Sequence, residues 1–283
     1  MTNLTNDSDY TGKVVVITGA GGVLCSAFAK ALAARGAKVV LLDINEEAVR
    51  TVAEEIRAAG GTVLPVKADC LDKESLLCAK ELVNTLFGAC DILINGAGGN
   101  SPRATTENEF FDPDTALEHG DFFSLSPDGF RFVFDLNVTA AFLTTQVFAR
   151  DMATNGRGGN ILNISSMNAY RPLTKIPAYS AAKAAVSNFT AWLAIHFAPC
   201  GVRVNALAPG FFVTGQNRAL LFREDGAPTP RTEKILRATP MGRFGKPEEL
   251  LGALLFLLSD RTAGFVTGVV LPVDGGFSAY SGV

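Results

Sequence analysis

The chain has 283 residues, 48% of them apolar and 28 of them glycine, with a formal net charge of -3. This length suits one generous α/β domain, the apolar share excludes a disordered chain, and the weak negative charge excludes the basic footprint of a nucleic-acid binder. Two histidines, His119 and His196, and five scattered cysteines without C-x-x-C spacing argue against a metal site or a Ser-His-Asp triad, and for free thiols in a reducing compartment.

The first ten residues read as a polar extension without a signal-peptide core, and no apolar run in the sequence reaches membrane-spanning length. A cytoplasmic protein is expected. From there short β-branched runs alternate with helical patterns. Strands are predicted at 14–17, 39–42, 63–66, 92–94, 160–164, 202–206 and 269–273. Helices are predicted at 27–35, 46–59, 73–87, 128–154, around Tyr179, and at 247–258. About seven parallel strands with helices on both faces describe a Rossmann-type doubly wound α/β fold, one domain over 1–283. Segments 99–127 and 211–240 break this rhythm. Both follow strand ends, where open parallel sheets bind ligands, so they are expected to wall or cover a substrate pocket.

The first strand runs into Thr18-Gly19-Ala20-Gly21-Gly22-Val23-Leu24-Cys25. Glycines at a strand-to-helix turn let backbone approach a pyrophosphate seated at a helix N-terminus. Asp43 ends the second strand, where a carboxylate accepts hydrogen bonds from an adenosine ribose and repels a 2′-phosphate. No Arg or Lys directly follows it, so NAD(H) is expected over NADP(H). Asp69 follows the third strand, and Asn95-Gly96-Ala97-Gly98 ends the fourth with little side-chain bulk. Pro209-Gly210 ends the sixth, with Thr214 beyond it.

Tyr179 and Lys183 stand four residues apart, on one face of a helix. A phenol ionises near pH ~10. A fixed cation beside it favours the phenolate, so the pair offers a proton donor and acceptor suited to alcohol/carbonyl chemistry.

In combination these residues resemble the short-chain dehydrogenase/reductase family over nearly the whole chain. The family pattern is T-G-x-x-x-G-x-G, N-x-A-G, an Asn in the next helix, a Ser, Y-x-x-x-K and P-G. Here it is met by Thr18-Gly19, Asn95 to Gly98, Asn137, Ser166, Tyr179 with Lys183, and Pro209-Gly210. Ser166 is preferred to Ser165 by its spacing of thirteen residues from Tyr179. Val23 and Cys25 stand where the turn usually carries glycines, and Val23 is expected to crowd the pyrophosphate path. The resemblance implies a catalytic tetrad of Asn137, Ser166, Tyr179 and Lys183. It also implies dinucleotide contacts from Gly19, Gly21, Gly22, Val23, Leu24, Asp43, Asp69, Cys70, Asn95, Gly96, Ala97, Gly98, Tyr179, Lys183, Pro209, Gly210 and Thr214, and a homotetramer.

A narrower likeness, to the D-mannonate oxidoreductase (fructuronate reductase) branch, lies in 96–100, 104–106, 163–179, 208–212, 240–245 and the tail 274–283. It implies a sugar-acid substrate, whose pocket needs a cation and several amides or hydroxyls; by topology Asn100, Asn168 and Arg171, with Arg171 as the carboxylate partner, are expected to join Ser166 and Tyr179. Arg103, Lys175, Gln216, Asn217 and Arg218 are further polar candidates by topology. Reduction of another ketone, such as a 3-oxoacyl thioester or a polyol, and non-catalytic dinucleotide sensing stay open as alternatives.

Overall fold

The structure is a computed structural model that describes residues 10–114, 120–214 and 218–282. The polar start 1–9, His119, Gln216 and Asn217 lie outside the described residues. In chain order the strands are β1 (Val14–Thr18), β2 (Lys38–Asp43), β3 (Thr62–Lys67), β4 (Ile92–Asn95), β5 (Gly159–Ile164), β6 (Val202–Pro209) and β7 (Val270–Val273). All pair in parallel, in the order β3-β2-β1-β4-β5-β6-β7. The connections run outward from β1 in one direction and from β4 in the other, so a crevice opens between these strands at the carboxyl edge of the sheet.

The helices are α1 (Val23–Ala33), α2 (Glu46–Ala58), α3 (Lys73–Leu86), α4 (Pro127–Phe134), α5 (Ala140–Thr154), α6 (Pro177–Phe197), α7 (Arg218–Leu221), α8 (Pro230–Ala238) and α9 (Leu251–Leu258). Successive strand residues point to opposite faces. Val15 and Ile17 accordingly pack with Phe28, Leu32, Leu254 and Leu257 on one side. Val14 and Val16 pack with Leu76, Val83, Phe148 and Met152 on the other. Cover on both faces explains the unbroken apolar run of β1, all five of whose residues are buried.

Several boundaries differ from those predicted, each for a local reason. α1 starts at Val23 rather than at 27, because Gly22 already holds the extended N-cap conformation. β6 continues through Pro209, and 247–250 forms a 3-10 turn ahead of α9. The aperiodic stretch 211–240 contains α7 and α8. Pro230 occupies the first turn of α8, where a missing N–H costs nothing. Thr229 caps that helix, its hydroxyl oxygen accepting from the Thr232 amide at 3.3 Å. The predicted helix 128–154 is two helices joined by a π-turn, Asp135–Thr139. Contrary to the sequence expectation, the combined helix Pro127–Thr154 is long and apolar enough to cross a membrane by length and composition. Half of its apolar window is buried in the fold, where α5 packs on α3, β4 and β5.

A buried polar network fixes the centre of the sheet to its helices. Asn95 Nδ2 donates to Thr145 Oγ1 (2.9 Å) and Asn163 Oδ1 (2.8 Å), and Thr144 Oγ1 donates to Asn95 Oδ1 (2.6 Å). Asn163 Nδ2 in turn donates to Thr190 Oγ1 on α6 (2.9 Å). Removing a member of such a network strands its partners out of reach of water. Asn163→Ala is therefore expected to lower unfolding free energy by about 2 kcal/mol, read as a drop in the urea midpoint with the slope unchanged.

Candidate active site

The site assembles where β1, β4 and β5 end. Gly19 carries a φ of +63°, and a Cβ there would stand 2.9 Å from backbone atoms of Gly96 and Ala97. Only glycine lets the turn after β1 lie this close to the end of β4. Thr18 closes the junction: its buried hydroxyl oxygen accepts from the amides of Gly96 (3.0 Å) and Ala97 (3.1 Å). Nothing in the T-G motif itself marks this role of the hydroxyl.

Cys25 fills a notch in the same junction, since a side chain on Gly96 would collide with its sulfur. Desolvation, countered by Lys183 and reinforced by Asp43, pushes the Cys25 thiol up to about 12. It is a neutral packing group. Val23 does not turn inward; it opens α1 with 40% of its surface exposed. Leu24 packs against the core beside it.

Asp43 is held from both sides. Its Oδ2 accepts from the Gly21 amide (3.0 Å) and its Oδ1 from the Asn45 amide (2.9 Å). The carboxylate therefore stands fixed beside the turn. Asp69 accepts from the Leu71 amide (2.8 Å) through Oδ1, and the cap of α3 is Asp72 instead. Burial first, then the carboxylates of Asp69 and Asp43, raise the Cys70 thiol to about 12, which places Cys70 in this same corner. Glycine and acid together make a cradle that fits a dinucleotide with free ribose hydroxyls. Asn95 contributes differently from expectation: both ends of its amide are spent in the buried network. Pro209 ends β6, Gly210 donates its amide to Val273 O (3.0 Å), and Thr214 accepts from the Arg218 amide through its carbonyl (3.0 Å).

Across the crevice stand the four residues of the expected tetrad. Asn137 lies in the π-turn and is buried. Its Nδ2 donates to the carbonyls of Gly99 and Val133, each at 2.7 Å, and its Oδ1 accepts from the Gly99 amide at 3.2 Å. Gly98 makes room for this, because a Cβ there would meet Asn137 Oδ1 at 2.6 Å and Lys183 Nζ at 3.1 Å. π-turns inside α-helices recur at functional positions.

Ser166 caps the short 3-10 turn Met167–Ala169, its oxygen accepting from the Asn168 amide at 3.2 Å. Tyr179 lies within hydrogen-bonding reach of Ser166. Asn168 is buried, and its Oδ1 has no partner. Lys183, on α6, donates through Nζ to the Ile164 carbonyl (2.8 Å) at the end of β5 and sits 5.6 Å from the centre of the Tyr179 ring.

The electrostatics depart from the sequence expectation in one respect. Desolvation raises the Tyr179 phenol above its ordinary value, and the Ser166 hydrogen bond lowers it. Desolvation also brings the Lys183 ammonium down to about 8. The lysine contacts the ring and a carbonyl rather than the phenol oxygen, so burial outweighs the cation.

The substrate candidates are dispersed. Asn100 is exposed and donates to Thr105 Oγ1 (2.9 Å). Arg171 is exposed and its Nε donates to the Ser278 carbonyl (3.2 Å), while Tyr170 OH donates to Val270 O (2.6 Å). Arg103 lies over the Phe132 ring and Arg218 over Phe222.

A doubly wound sheet, a glycine turn paired with a strand-end acid, and a Ser-Tyr-Lys set across the crevice define a dinucleotide-dependent oxidoreductase architecture. The family model described as Enoyl-(Acyl carrier protein) reductase matches residues 19–278. An oxidoreductase of Haemophilus influenzae is 57% identical over 99% of this chain and 98% of its own length. The UxuB oxidoreductase of Bacillus subtilis is 54% identical over 97% and 98%. A solved Haemophilus structure with bound NAD, provisionally named a D-mannonate oxidoreductase, superposes with a TM-score of 0.93 at 56% identity, covering 99% of this chain and 100% of that one. The chain belongs to the short-chain dehydrogenase/reductase family.

Burial of Lys183 has a measurable consequence. The unfolded chain keeps this proton up to about 10.5 and the folded chain only to about 8, so between these values the unfolded state binds more protons and stability rises with pH. Tyr179, raised above 10, works in the opposite direction only at higher pH. Relative to Lys183→Met, the wild type is expected to gain roughly 2 kcal/mol of unfolding free energy between pH ~8 and ~10, measured by denaturant titration.

Proposed function

We propose that this NAD(H)-dependent oxidoreductase interconverts a ketone and an alcohol on a sugar acid, with D-fructuronate and D-mannonate as the pair. The observation that carries the reaction is the convergence of Ser166, Tyr179 and Lys183 opposite the turn fixed to Asp43. Similarity to the Haemophilus structure, at 56% identity, supports the substrate.

In this reading Gly19, Gly21, Gly22 and the start of α1 hold the pyrophosphate, and Asp43 takes the adenosine ribose hydroxyls. Asp69 and Cys70 border the adenine, and Gly96 to Gly98 let the cofactor lie on backbone. Pro209, Gly210 and Thr214 flank the nicotinamide. When bound, NADH supplies the hydride that goes to the ketone carbon. Tyr179 gives its proton to the ketone oxygen and recovers it in the reverse reaction. Ser166 donates to that oxygen, while its own oxygen accepts from the Asn168 amide (3.2 Å). Lys183, buried with a depressed pKa, exchanges protons near neutrality and binds the nicotinamide ribose hydroxyls. Asn137 fixes the 98–99 backbone beside Lys183 and retains a lone pair on Oδ1 for a water that passes protons to solvent.

The reading includes a homotetramer. Phe142 on α5 and Trp192 and Ile195 on α6 are exposed, and Phe189, Trp192 and His196 stack on this surface. An apolar face of this kind fits burial between subunits.

Oxidation of NADH with D-fructuronate, and reduction of NAD with D-mannonate, test the substrate directly; turnover with 3-oxoacyl thioesters or neutral ketones alone would replace it. Tyr179→Phe is expected to lower kcat by at least about a thousandfold, in the range of removing a general acid, while NADH binding by fluorescence stays within about threefold. Substantial residual turnover would remove Tyr179 as the acid. Asp43→Ala is expected to shift the NADH/NADPH ratio of kcat/KM toward NADPH by roughly tenfold or more, the scale of one charge-assisted hydrogen bond and one repulsion.

A further inference from the structure

One charged cluster at the carboxyl edge takes no part in the chemistry above. Glu109, in the segment after β4, accepts from Lys234 Nζ on both carboxylate oxygens, at 2.9 and 3.0 Å. Lys234 belongs to α8, in the segment after β6. β5 lies between β4 and β6 in the sheet, so this ion pair joins the segments that follow the two strands flanking the one that leads to Ser166. The third element at this place is the segment before α6. The Thr106 amide donates to the Lys175 carbonyl at 2.8 Å, and Lys175, four residues ahead of Tyr179, has a φ of +73°. Among the described residues it is the one non-glycine with positive φ. A lysine held in this region is unfavourable by itself, and such conformations persist where the surroundings impose them, often at ligand sites.

The charges do not balance. Lys234 first, then Lys175 and Arg231, act on Glu109 and hold its carboxyl below the ordinary range. Glu107, the neighbouring acid, is turned against Gly120 instead. Lys234 grips this carboxylate, and Lys175 and Arg231 add positive charge to it, from the segments that follow the carboxyl ends of β5 and β6. Arg171, the partner expected from sequence, is tied to the C-terminal segment at Ser278.

We propose that Lys175 and Lys234, with Arg231, form the seat for the substrate's carboxylate, and that Glu109 occupies it as an internal carboxylate which the substrate displaces. This assignment rests on the keto-acid reading of the site. It makes Lys175 and Lys234 specificity-determining residues, and it predicts opposite signs for the two kinds of variant. Removing a cation weakens the acid; removing the competing carboxylate strengthens it.

The test measures KM for D-fructuronate, and the affinity of D-mannonate for the NADH-loaded protein by calorimetry, in the wild type, Lys175→Gln, Lys234→Gln and Glu109→Gln. NADH fluorescence reports whether each variant folds. Each lysine variant is expected to raise KM and weaken D-mannonate binding about tenfold, the scale of one charge-assisted contact, with the loss falling on KM rather than kcat. Glu109→Gln is expected to tighten both by a few-fold. If both lysine variants bind the acid as the wild type does, or if Glu109→Gln weakens it as they do, the pair is a cross-brace and the seat is overturned while the substrate reading stands. A wild type that neither binds D-mannonate nor turns over D-fructuronate, but reduces neutral ketones, overturns both.

Discussion

Lys183 has left water, and four elements are arranged around that fact. A buried ammonium needs its hydration replaced. The Ile164 carbonyl supplies one acceptor, the Tyr179 ring face a second favourable surface, and Gly98 clears the space through which Asn137 approaches. Each of these comes from a different strand end or helix. The lysine can stay buried only if β4, β5, the π-turn and α6 hold their relative positions. Its depressed pKa is the chemical product of the same confinement, so the feature that makes the group reactive also ties it to the integrity of the sheet.

The opposite wall of the crevice is organised by small things rather than by charge. Gly19 and Gly96 bring two strand ends into backbone contact, Thr18 pins them with one hydroxyl, and the Cys25 sulfur occupies what space remains. This wall shows how a turn lacking two of the family's usual glycines keeps its close packing on β4. The thiol sits where Gly96 has no side chain, and Val23 opens α1 with its side chain exposed. The adjustment is local. Asp43, held by two hydrogen bonds, keeps its place.

Much of this was legible in the chain itself. The seven strands and most of the helices between them follow from short apolar runs and helical period, and motif order named Asn137, Ser166, Tyr179 and Lys183, which the fold brings to one side of the crevice. What escaped has physical causes. The helices α7 and α8 escaped because 211–240 shows no apolar period, and Pro230 stands in the first turn of α8. The π-turn leaves no mark on apolar periodicity. Asn95 was assigned to the cofactor from its motif, yet its amide points into a network that only the packing of β4, β5 and α5 creates. The Glu109–Lys234 pair joins residues 125 positions apart, and nothing local announces it. Arg171 was chosen for its charge and nearness to Ser166; the route of the C-terminal segment decided otherwise.

The turn Asp135–Thr139 has an implication for how this protein tolerates change. A π-turn carries one residue more than the α-helix it interrupts, so everything after it is rotated by about 100° around the axis. The α4 face that meets α6, and the α5 face that lays Thr144, Val147 and Phe148 on the sheet, are therefore two separate stripes, set out of phase by this one residue. Substitutions along α5 act one side chain at a time. Deleting a single residue from the turn would restore a continuous helix and swing all of α5 out of register with the sheet, so in this stretch length is constrained more tightly than identity.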